Sequence, residues 1–63
     1  MFMEVPLVQG GNSTVNFGHV VWIKDNNPDS TAFFINGASL NIKLPYKKLR
    51  DDVAHLQAMV RKG

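Results

Sequence analysis

Asn36-Gly37 sits between two runs that alternate apolar and polar residues, and no other pair in the chain constrains the fold as much. Asn-Gly is the strongest short-range hairpin signal, because a type I′ turn needs φ > 0 at both central positions. Such a turn folds residues 31–36 back on residues 38–44 and sets their register. Phe33 then faces Leu40, Ile35 faces Ala38 and Thr31 faces Ile42, with Leu44 on the same side by parity. Phe33 and Phe34 are neighbours, so on a pleated strand their rings go to opposite faces. One ring has a core to enter; the other needs a different cover.

The flanking sequence supplies the remaining elements. Residues 2–8 alternate weakly, and Pro6, which cannot donate to a ladder, marks them as an edge strand. Residues 15–24 read as a second strand, with Val15, Phe17, His19, Val21 and Ile23 on one face and Gly18 marking a bulge. "QGGNST" and "DNNPDS" are turn segments. Pro45 ends the hairpin and suits a helix start. Beyond it Tyr46, Leu49, Val53, Leu56 and Val60 fall within an arc of about 80°, predicting an amphipathic helix over 46–61. The expected fold is a single α+β domain over residues 1–63: a small antiparallel sheet of three to four strands with one C-terminal helix packed on one face. Its core is Val5, Leu7, Val21, Ile23, Phe33, Ile35, Leu40 and Ile42 under Leu49, Val53, Leu56 and Val60.

One helix covers one sheet face. Parity puts Val20, Trp22 and Lys24 on the other face, with Ala32, Phe34, Ser39, Asn41 and Lys43 from the hairpin. A chain of 63 residues has little stability to spare. With no cysteine it has no disulfide to compensate, and two histidines cannot build a structural zinc site by themselves. No cofactor is implied. An apolar patch of this kind marks an interaction site. Val20, Trp22 and Phe34 are therefore the expected partner-binding residues, for a second copy in a homodimer or for another protein. The competing arrangement folds Phe2 and Val8 of the first strand under these rings.

A second reading is nucleic-acid binding. Aromatic rings beside cations on a sheet face can stack bases and neutralise phosphate. Charge is uneven: residues 1–42 carry Lys24 against Glu4, Asp25 and Asp29, whereas residues 43–63 carry six cations against Asp51 and Asp52. Lys24, Lys43, Lys47 and Lys48 are the candidate nucleic-acid or anion contacts. Lys47 and Lys48 lie in the first helical turn, where helix-start amides favour anions, although a solvated helix end accounts for them as well. Asp51 and His55 are spaced as a surface pair, and His19 lies near a strand end. The chain shows no nucleophile elbow, P-loop or HExxH motif, so the expectation is not an enzyme. Neither a signal peptide nor a membrane span is legible, and the expected compartment is the cytoplasm.

The run from Val15 to Leu56 resembles two bacterial groups, the short FlbD/SwrD-type proteins of flagellar and swarming systems and, more distantly, the LytTR DNA-binding module. Asn16, Val20, Trp22, Ile23, Asn36, Gly37, Tyr46, Leu49 and Val53 carry the likeness. Acidic residues that these groups often place after the second strand and at the helix start are here Lys24, Lys47 and Lys48. A LytTR module also continues past its corresponding helix into further strands. The resemblance implies the sheet-plus-helix fold, and a small phage-encoded or accessory bacterial regulator is equally compatible with it.

Overall fold

The computed structural model describes the backbone of residues 1–62 and the side chains through Met59. Five strands precede one helix: β1 (Phe2–Pro6), β2 (Asn12–Asn16), β3 (Val20–Asn26), β4 (Asp29–Phe34), β5 (Ser39–Ile42) and α1 (Tyr46–Lys62). β1 and β2 form one antiparallel ladder, and β3, β4 and β5 another, in that order. A bridge between Leu7 and Ile42 joins the two ladders. There the Val8 N–H donates to Asn41 O at 3.2 Å and the Lys43 N–H to Pro6 O at 2.9 Å. The helix packs on the inner side. This is the expected α+β fold, with one strand more than the sequence predicts.

The extra strand arises at Asn16. The predicted strand over 15–24 is interrupted by a 3-10 turn, Phe17–His19, that separates β2 from β3. Asn16 has extended backbone angles and its side chain accepts the Gly18 N–H at 3.0 Å, as capping residues do. The turn drops Phe17 into the core, 2% exposed.

Both of the longer hairpin loops use one device. Phe34 N–H donates to Ala38 O at 2.9 Å and Gly37 N–H to Phe34 O at 3.0 Å. Leu7 and Gly10 repeat that pattern, Leu7 N–H to Gly11 O and Gly10 N–H to Leu7 O, both at 3.0 Å. Each loop therefore has three residues, a turn followed by a glycine with positive φ, +88° at Gly37 and +111° at Gly10. Asn36 keeps a negative φ, so the expected type I′ turn does not form.

That added loop residue corrects the register. Phe33 pairs with Ser39, Ala32 with Leu40, Thr31 with Asn41 and Ser30 with Ile42. β5 keeps its predicted orientation, while β4 turns over as a one-residue slip requires. Ser30, Ala32 and Phe34 point inward, and Phe33 points out. A bulge between Val20 and Trp22 in β3 turns Val20 inward as well, opposite Phe34.

The core is Val5, Val15, Phe17, Ala32, Ile42, Leu49 and Val53, with Leu7, Val20, Ile23, Phe34 and Leu40 packed against it. Val21 and Ile35, expected inside, are 65% and 77% exposed, one at the bulge and the other in the loop. The predicted core position Val60 lies outside the described side chains. Ser30 is buried because its hydroxyl donates to the Leu44 carbonyl just before the helix. No buried side-chain nitrogen or oxygen among the described residues lacks a hydrogen-bond partner.

Candidate docking face

The outer face of β3, β4 and β5 follows directly from the pairing. Residues opposite one another share a face, so Trp22, Phe33 and Ser39 form one row across the three strands. Lys24, Thr31 and Asn41 form the next, and Asn26 and Asp29 stand at the turn. Thr31 Oγ1 donates to Asn41 Oδ1 at 2.9 Å, which ties β4 to β5 across the polar row. Val8, bonded through its backbone to Asn41, extends this side and is exposed.

Trp22 and Phe33 stack, with ring centroids 4.2 Å apart and planes 4° from parallel. A pair of this kind adds roughly 0.5–1.5 kcal/mol beyond its area burial. It answers the question posed by the adjacent phenylalanines: Phe34 enters the core, and Phe33 is covered on one side by the indole. Trp22 is itself 52% exposed. The helix is on the opposite side of the sheet, where Leu49 and Val53 meet Ala32 and Ile42.

The structure separates the three expected docking residues. Trp22 is on the outer face, whereas Val20 and Phe34 are partly buried against the core. Phe33, which pattern reasoning sent inward, stands beside Trp22 instead. The signal for it was the loop: three residues ending in glycine invert β4. The candidate cations do not converge. Lys24 is exposed on the outer face, and Lys43 is exposed just past β5. Lys47 and Lys48 are exposed on the helix, in the opposite layer, and Lys48 Nζ lies 3.2 Å from Asp52 Oδ2. Asp51 pairs with Arg50 at 3.3 Å rather than with His55.

An open groove of about 360 Å³ lies elsewhere, between β2 at Ser13 to Asn16 and the wall formed by Phe34, Ser39 and Leu40, with His19 at its side. Apart from Phe34, the sequence marks none of these as site residues. No three His, Asp or Glu side chains among the described residues are grouped as a metal site. No helix among them is long and apolar enough to cross a membrane. Compared with known proteins, the chain matches no family model, no curated protein and no solved structure.

Proposed function

We propose that this small α+β domain is a non-enzymatic interaction module that docks through the outer face of β3, β4 and β5, on a second copy of itself or on another protein. The observation that carries the reading is Trp22. One indole face rests on Phe33, and the side chain is still 52% exposed. Burying a large apolar side chain is worth about 1.5–3 kcal/mol, a substantial gain for a domain of this size. The likeness to short FlbD/SwrD-type regulators is compatible with such a role and belongs to the same proposal.

Sedimentation velocity of the wild type and of Trp22→Ser, over a range of concentrations, tests self-docking. The wild type is expected to associate as concentration rises and the variant to remain monomeric. A wild type that stays monomeric throughout contradicts self-docking. Lys24 beside the aromatic row supports the nucleic-acid alternative, which titration with mixed-sequence DNA and RNA at two salt concentrations examines. Phosphate contacts would give affinity that falls steeply with salt. Absence of binding at low salt removes that alternative.

A further inference from the structure

We infer that the partner at Trp22 is a second copy of this chain, paired edge to edge along β3 about a two-fold axis at Ile23, with Lys24 of each copy over Trp22 of the other. The inference rests on the reading of Trp22 as a docking residue and adds the partner, the register and the contact.

β3 is an edge strand: β4 pairs with one side of it, and among the described residues no strand pairs with the other. Five of its seven residues are exposed, so the free edge is accessible. Along an antiparallel pair, alternate residues turn their backbone groups toward the partner strand. The residues between therefore present N–H and C=O groups to the free side, where another strand can use them.

The stack sets where the open indole face lies. Phe33 is directly opposite Trp22 on β4, and the two rings are nearly parallel. The second face of the indole therefore looks away from β4, over the free edge. A cross-strand neighbour on an added strand would occupy that position.

Symmetry and charge then select the register. A two-fold axis perpendicular to the sheet keeps both outer faces on one side. Directly opposed residues share a face, so the axis must pass through a residue rather than between two. Centring on Lys24 or Asp25 sets like charges against each other. Centring on Val20, Val21 or Trp22 puts the bulge at the axis or in the pair beside it, and Asn26 is the last residue of the strand. Centring on Ile23 sets the bulge residue Val21 two positions from the axis and leaves the pairs next to the axis regular. In that register Lys24 faces Trp22 of the other copy, and Val21, 65% exposed here, faces Asp25. An ammonium over an indole is a favourable cation–π contact, and symmetry supplies two of them.

The test uses the full chain, which has no cysteine of its own. In this register the two Ile23 Cα atoms come within about 5.5 Å, inside the span of a disulfide. Mild oxidation should therefore cross-link Ile23→Cys as a dimer. Asn26→Cys should not cross-link, because its two copies would stand roughly 20 Å apart along the strands. Since Ile23 touches the core, exposed Lys24 provides an independent measurement by sedimentation equilibrium. Lys24→Glu should weaken association about tenfold or more, while Lys24→Arg should retain it. A dimer that is lost in Trp22→Ser but indifferent to Lys24, with no Ile23→Cys cross-link, overturns the edge register and leaves the docking face standing. A wild type that is monomeric up to millimolar concentration overturns self-pairing in any register and leaves the docking face to a different protein.

Discussion

Ser30 lies fully buried in the central strand, and its hydroxyl donates to the Leu44 carbonyl at the entrance to the helix. This bond connects the middle of the sheet to the segment that launches α1. Ser30→Ala removes the donor and leaves the carbonyl without it, which should cost about 1–2 kcal/mol in urea denaturation. A Ser30→Ala variant as stable as wild type would show that the bond does not anchor the helix. Ser30 and Ala32 also show why side-chain type alone misread β4. The odd positions Thr31, Phe33 and Ile35 look the more apolar set, yet the even positions face inward. Small residues suffice there because Phe17, Ile42 and Leu49 fill the same core from other elements. Phe33, left outside, finds its cover in Trp22.

At the scale of elements, two three-residue loops with a shared hydrogen-bond pattern set both hairpin registers. Each depends on a glycine with positive φ, and a Cβ at Gly10 or Gly37 would meet nothing within 4 Å. The penalty for a side chain there is conformational rather than steric. Gly37→Ala and Gly10→Ala should each destabilise the fold by about 1 kcal/mol in chemical denaturation, and nearly additively, since the loops are separate. Unchanged midpoints in both variants would contradict this account of the loops. The positions of the hairpin, the β3–β4 turn and the helix could all be read from the sequence. Alternation, turn residues and the 3.6-residue period are local signals that survive without tertiary context. Loop length could not be read. Asn-Gly fits a two-residue turn, and equally the second and third places of the observed loop, and this single residue decides which face of β4 is buried. The break at Asn16 was hidden for a related reason, because a side chain capping a short turn looks in sequence like one more polar strand position.

For the molecule as a whole, a short chain closes a core between two joined ladders and one helix, and leaves one sheet row aromatic and open. Val5, Ile42, Leu49 and Val53 were legible core positions because they lie where strand and helix periods agree. The candidate face was legible only in outline: Trp22 and Lys24 hold their expected side, while Val20 and Phe34 exchange it for the core. The cations predicted to act together are divided between two layers, so the helix lysines Lys47 and Lys48 and the aromatic row are different surfaces. Trp22 is the only tryptophan, and its emission reports on that row alone. The most direct measurement is the Trp22 emission spectrum of the pure protein from micromolar to millimolar concentration, in parallel with its mass by light scattering. The account predicts a blue shift that tracks the rise in mass, as the open indole face loses water to a partner. An emission maximum that stays constant while the mass doubles would place the contact elsewhere and contradict the docking face.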